Sequence, residues 1–234
     1  MTAILRREFM SYFCSPIAYV YLSVYYFFAG LNFVMFTLGS QTADITPVFA
    51  SMFLIVLFLI PLLTMRLLSE DKKNRTDQAL LTAPVPLLGI VLGKFLAAVA
   101  VYTLGLMVML VYGIILHTFT APNWAIIWGN LAAMLLLGMA LIAIGIFVSS
   151  LTENQVIAAV GGFAISFLLV LVDSLAGLTD NPFIRQILYG LSISRHFDSF
   201  PSGVFDLTSI FFYFCLTAIF IFLSIRVLEK RRWG

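Results

Sequence analysis

Among the residues whose type and spacing could do chemistry, the string GIVLGK, Gly89 to Lys94, comes nearest to a nucleotide site, because glycines ahead of a lysine can cradle phosphate with backbone N–H groups. It fails in three respects. Only three residues separate Gly89 from Gly93, Phe95 stands where a Ser or Thr would hold magnesium, and the stretch leads into an apolar run rather than following a strand. No ATP hydrolysis, and no cofactor or metal, is therefore expected on this chain. His117 and His196 are single and lie in separate loops, which suits interface histidines better than a metal pair. Met107 and Met109 are two apart and diverge on a helix, so they do not form a copper ladder. Cys14 and Cys215 are too far apart in sequence for a local metal motif and imply no disulfide framework. No Ser, Cys or Thr has a nearby His or carboxylate pattern suited to nucleophilic catalysis. Glu153 and Asp77 are loop or helix-end carboxylates without an acid–base partner.

The elements that would position such groups are dictated by composition. Of 234 residues, 62% are hydrophobic and 10% charged, and mean hydropathy is +1.07. Soluble domains carry about a quarter charged residues, so the chain reads as a polytopic membrane protein, all-α, with six transmembrane helices. The expected spans are 17–38, 48–66, 94–116, 124–148, 156–173 and 207–226 within a single transmembrane domain covering 1–234. The first, as a helix, is about 33 Å long, enough to cross a hydrocarbon core of about 30 Å. Pro61 should kink or loosen the second. No Asp, Glu, Lys or Arg lies in the middle of a span, which disfavours an ion-coupled carrier. Asp173, at the end of span five, suits a helix-terminal carboxylate better than a proton relay. No cleaved signal peptide is expected; the first span serves as its own insertion signal.

Residues 2–14 place Leu5, Phe9, Tyr12 and Phe13 on one helical stripe, with Arg6, Arg7 and Glu8 mostly off it. This fits a short helix in the membrane interface; a basic leader that only sets topology fits equally. The longest charge-dense stretch between apolar runs is Arg66 to Lys94, RLLSEDKKNRTDQALLTAPVPLLGIVLGK. Asp71 and Arg75 stand four apart in the favourable helical order, and Arg66 with Glu70 forms the reversed pair. Helix should fade at Thr82 and Ala83 before Pro84, and Pro86 can open a second short helix, VPLLG. Such a segment suits docking to a partner in water; an ordinary solvated loop with snorkelling ends is the simpler alternative. In SSLTENQ, Thr152 and Gln155 have capping-box spacing, so a helix should start there. The 174–206 stretch, with Phe183, Ile184, Ile187, Leu188 and Leu191 at helix-like spacing, should hold interfacial or re-entrant helices on the opposite side before the last helix.

Charge sets the orientation. Eleven of the thirteen Lys and Arg residues fall on the side of the amino end: Arg6, Arg7, Arg66, Lys72, Lys73, Arg75, Lys94, Arg226, Lys230, Arg231 and Arg232. Arg185 and Arg195 fall opposite. The positive-inside rule puts both termini and the 66–94 segment in the cytoplasm. A formal net charge of +2 gives no reason to expect a nucleic-acid partner.

Taken together, EDKKNRTDQALLTAPV at 70–85, IVLGKFLA at 90–97, SSLTENQVIAA at 149–159, SRHFDSFPSGVFDL at 194–207, the opening REFMSYFCSPIAYV and the closing RVLEKRRW resemble the permeases of ATP-binding-cassette transporters. The likeness is to the type 2 exporter superfamily, in the branch of gliding-motility and nitrous-oxide-operon permeases, and runs in order along nearly the whole chain. It implies an exporter half in the bacterial inner membrane: two permease copies, as a homodimer or with a close paralogue, with two cytosolic ATPase subunits that bind ATP and magnesium. An extracytoplasmic accessory protein is a further partner in this picture. The resemblance makes 2–14 a connecting helix with Leu5, Arg6, Arg7 and Phe9 at the interface. It makes Glu70, Asp71, Lys72, Thr76, Asp77 and Pro84 the ATPase-coupling region, Glu153 and Asn154 a cytoplasmic turn, and His196, Phe197 and Asp206 part of the outer hairpin. The family often has Gly where Arg75 stands and an acid where Gln78 stands. A membrane anchor or scaffold that moves nothing is the competing class.

Overall fold

The computed structural model describes residues 2–42, 44–75, 86–119, 121–178, 181–198, 200 and 206–233. Among them every regular element is a helix, and six helices are long and apolar enough to cross a membrane. In chain order these elements are α1 (Thr2–Cys14), α2 (Pro16–Asn32, ending in a π-helical turn Phe33–Leu38), α3 (Thr46–Thr64), α4 (Ser69–Lys73), α5 (Leu87–Phe119), α6 (Trp124–Leu151), α7 (Gln155–Gly177), α8 (Pro182–Leu191), α9 (Ile193–Asp198) and α10 (Leu207–Trp233). The spans are α2, α3 with α4, α5, α6, α7 and α10. Alternation places α1, α4, the α6–α7 turn and the end of α10 on one side, here the basic side. Helices α8 and α9 lie on the other.

The bundle is organised around α6. The most apolar window of α6 is 78% buried, against 17% for that of α10, and α6 packs on α3, α5, α7 and α10. Lipid tails are as apolar as leucine, so close backbone approach has to supply packing energy in the bilayer. Gly138 and Gly145, two turns apart on α6, provide it. A Cβ added at Gly138 would overlap the Tyr102 ring, and one at Gly145 would overlap the Thr64 side chain. Tyr102 then donates its hydroxyl to the Met134 carbonyl at 2.7 Å, and Thr64 returns its hydroxyl to Ile60 O at 3.0 Å. Gly162 of α7 continues this seam, with its missing Cβ 3.6 Å from Pro61 Cβ and 3.8 Å from Gly145 Cα.

Several boundaries differ from expectation for local reasons. Span three begins at Leu87, so residues 86–89 of the expected short helix lead into it, with Gly89 N donating to Pro86 O at 2.8 Å; Val85 lies outside the described residues. The fade expected at Thr82 and Ala83 also lies outside the described residues; the helix after α3 stops at Lys73, where Asn74 caps it and Arg75 takes a left-handed φ of 57°. That conformation favours glycine, which is the residue the family resemblance puts there. It also breaks the helical register, so the Asp71–Arg75 pair does not form as an i,i+4 contact. Thr152 is the C-cap of α6, and Asn154 caps α7 by accepting from Val156 N at 2.9 Å. Thr152 Oγ1 instead accepts from Asn154 N at 3.1 Å.

Gly145→Val should lower the unfolding temperature in detergent, by the equivalent of about 1–3 kcal/mol of overpacking. Gly190→Ala, where nothing lies within 4 Å of the added Cβ, should leave it unchanged or slightly raised. Equal behaviour of the two variants would remove the close-approach role from Gly145.

Candidate functional site

On the basic side, three elements distant in sequence meet at one ammonium. Lys94, near the start of α5, is 2% exposed. Its Nζ lies 2.7 Å from Asp71 Oδ2 of α4 and 3.1 Å from Glu8 Oε1 of α1. The two carboxylate side chains are 12–13% exposed. A buried ammonium is costly unless paired and hydrogen-bonded, and here two anions hold it. The residue before it explains how α1 comes so near: a Cβ at Gly93 would stand 2.9 Å from Ile4 Cγ2. The GIVLGK string is thus helical, its second glycine seating α1 and its lysine fastening α1 to α4.

A second set of contacts fixes the end of α3. Arg66 Nε pairs with Glu70 Oε2 at 3.0 Å, the i,i+4 pair read from the sequence. Its Nη1 donates to Ser15 Oγ at 2.8 Å and its Nη2 to Ser11 Oγ at 3.0 Å. The Arg66 guanidinium also lies 5.8 Å from the Tyr12 ring centre. Tyr12 donates to Leu63 O at 2.9 Å; burial pushes its hydroxyl far above the ordinary phenol range, so it remains a protonated donor. These groups border a polar cavity of about 170 Å³ between α1 and α4, whose walls include Arg7, Glu8, Arg66, Glu70, Asp71 and Lys94.

A third set pins α4 to α6. Ser149 Oγ accepts from Leu68 N at 3.1 Å and from Ser69 N at 3.0 Å, and donates to Met65 O at 3.1 Å. Lys72, 5% exposed, donates its ammonium to the Ser150 carbonyl. Of the coupling residues read from the sequence, Asp71 and Lys72 therefore face inward and Glu70 is half-buried. Lys73, Asn74 and Arg75 are exposed at the tip. Thr76, Asp77, Gln78 and Pro84 lie outside the described residues. Leu5 and Phe9 of α1 are half-buried while Arg6 and Arg7 are exposed. Glu153 and Asn154 sit exposed in the α6–α7 turn, and α4 packs against both helices of that turn.

The outer residues form their own cluster. His196 Nδ1 is 3.0 Å from Ser209 Oγ, which donates to Asp206 Oδ2 at 3.0 Å. The imidazole stacks on Phe212 at 4.2 Å, and Phe197 packs on Phe53 at 5.0 Å. Asp206 caps α10 by accepting from Thr208 N at 3.0 Å. The Thr208 backbone N–H, then the Ser209 hydroxyl, hold its carboxyl below the usual carboxylate range. The serine gives its proton to the aspartate and stands between it and the histidine, so the order is wrong for an activated nucleophile. The cluster joins α9 to α10.

The family model described as ABC-2 family transporter protein matches residues 23–191, from within α2 to the end of α8. The chain belongs to the ABC-2 transporter family. Among curated proteins, none matches it. As an ABC-2 protein it is a multi-pass membrane component of a transporter. The match includes Asp71 and Lys94 but not Glu8. The sequence reading passed over Glu8, Lys94 and Ser149 as partners. Their local signals were a carboxylate off an apolar stripe, a lysine after a glycine, and a serine pair at a helix end.

Lys94→Met should strand two largely buried carboxylates and cost about 3–5 kcal/mol, seen as a lowered unfolding temperature in detergent. Adding Glu8→Gln and Asp71→Asn in the same chain should recover most of that loss. If the triple variant is no more stable than Lys94→Met alone, the ion cluster is not what joins these helices.

Proposed function

We propose that this ABC-2 protein is the permease subunit of an exporter, working as two copies or with a close paralogue, and powered by two cytosolic ATPase subunits that bind ATP and magnesium. In this reading residues 1–234 act as one permease domain of the bacterial inner membrane, with both termini cytoplasmic, and the relatives are the gliding-motility and nitrous-oxide-operon branch. The basic side is then the ATPase side, as the distribution of Lys and Arg supports.

The observation that carries the proposal is the attachment of α4. A docking segment transmits force only if it cannot slip against the helices it must move. Here α4 is bound to α1 and α5 through Lys94 and to α6 through Ser149 and Lys72. Closure of the ATPase pair would push on the exposed tip at Lys73 to Arg75 and the residues after it, Thr76, Asp77 and Pro84 among them. Asp71 and Lys72 would act from behind that tip by holding it in place. The displacement would pass to α5 and α6, and the paired permeases would rock between inward-open and outward-open states, with the substrate path between the copies. On the outer side, His196, Phe197 and Asp206 would hold the α9–α10 corner that closes the exit, next to any extracytoplasmic accessory protein.

The test is mild-detergent purification of the tagged chain from its native membrane, with mass spectrometry of what accompanies it. A phosphate-loop ATPase at equal stoichiometry is expected. Lys73→Glu with Arg75→Glu should cut ATPase recovery by about tenfold, a loss of about 1.4 kcal/mol of binding, without lowering membrane expression. Recovery of the chain with no ATPase, under conditions that preserve a known transporter complex, would favour a membrane anchor instead.

A further inference from the structure

An apolar groove of about 250 Å³ opens between α2 and α3 on the lipid-facing surface. Val20, Tyr21 and Val24 line it from α2, and Leu59 and Leu62 from α3; it ends toward the basic side at Pro16 and Met65. Val20 is 60% exposed and Leu62 49%, so the groove is open sideways to the bilayer. Its depth identifies the leaflet. From Pro16 to Val24 a helix rises about 12 Å, within one half of a hydrocarbon core of about 30 Å.

The residues next to the groove's end are polar and basic. Ser15 precedes Pro16 and Arg66 follows Met65, and the two side chains are joined at 2.8 Å. Ser11 holds the other Nη at 3.0 Å. A guanidinium has five N–H donors; three are used by Glu70, Ser15 and Ser11. Arg6 and Arg7 stand exposed on the same short helix; with Arg66 and Lys94 they set four cations against the three carboxylates Glu8, Glu70 and Asp71, so this edge is cationic by one charge. Within the wall, Tyr21 is 4% exposed, and its ring packs inward beside Gly105 of α5.

We propose that this groove is a binding site for one anionic phospholipid of the leaflet on the basic side. One acyl chain lies between α2 and α3, and the phosphate sits at the Arg66, Ser11 and Ser15 cluster. The occupant follows from two matched levels: an apolar slot one leaflet deep and a cationic edge where the slot ends. The site depends on the membrane orientation of these helices and not on the transporter mechanism.

The full chain is reconstituted in vesicles of phosphatidylethanolamine and phosphatidylglycerol containing a trace of phosphatidylglycerol with a photoreactive acyl chain, and the labelled residues are mapped by mass spectrometry. Label should concentrate on 20–24 and 59–62, about fivefold over the lipid-facing residues Val160 and Leu168 of α7, a preference of about 1 kcal/mol. Leu62→Trp, which fills the groove from a lipid-exposed position, should cut that label about fivefold. Leu168→Trp should leave it unchanged. A phosphatidylcholine tracer with the same reactive chain should label the groove severalfold less. Even labelling around the bundle, indifference to Leu62→Trp, or equal labelling by the two headgroups would overturn the site. So would cross-linking of a second copy through the groove in place of lipid.

Discussion

The structure depends on pairing one lysine whose side chain is almost wholly covered by protein. Lys94 lies at the edge of a span, and a long side chain there would ordinarily reach outward to the headgroups. Instead it is covered by α1, which approaches because Gly93 has no side chain to hold it off. Once the ammonium is covered, Glu8 and Asp71 become necessary, because removing either partner of a buried pair leaves an uncompensated charge. The connections among α1, α4 and α5 therefore follow from a single desolvation. Two carboxylates on one ammonium leave a net negative balance, and Arg7, 3.9 Å from Glu8, and Arg66 beside Glu70 sit where they offset it.

The same logic of satisfied polar groups explains why α4 is short. The stretch Met65–Leu68 leaves the regular helix, freeing backbone donors at Leu68 and Ser69 that must find acceptors at a buried site. Ser149 takes both, and its own proton goes back to Met65 O. One hydroxyl thus serves three backbone groups and fixes the position of α4 on the end of α6. Since α6 is itself immobilised by glycine contacts to Tyr102 and Thr64, the basic-side node is continuous with the most buried helix of the bundle.

Much of the architecture was legible because the bilayer imposes length and excludes charge: runs such as Ile17–Leu38 admit only a span. Pairs within one helix were legible too, as with Arg66 and Glu70. What failed were features set across the chain. Lys94 reads as a solvated residue at a loop's end, which shortened the third span, because nothing local announces that Glu8 and Asp71 will cover it. Asp71 reads as a partner of Arg75 by spacing; the actual contest, between a solvent-exposed helical pair and a buried ammonium, is decided by tertiary position. The cap at Asn154 was missed for a subtler reason: Thr152 has the right spacing but belongs to the helix that is ending. On the outer side, His196, Phe197 and Asp206 could be placed in one loop, while Ser209, the residue that links histidine to aspartate, lay inside a span and drew no notice.

The two sides of the molecule hold their short helices by different means, and the difference bears on motion. On the basic side, α4 is tied by buried ion pairs and by backbone donors on a common acceptor, so sliding would strand charges and N–H groups together. On the outer side, α8 keeps Phe183, Ile184, Ile187 and Leu191 exposed, and α9 is joined to α10 through neutral or partly exposed contacts: Tyr213 to Ile193 O at 3.0 Å, and His196 to Ser209. Breaking such neutral bonds costs less than unpairing a buried ammonium. A displacement imposed at α4 would therefore be carried through α5 and α6 without loss at its origin, and the rearrangement would be taken up at the opposite end of the bundle.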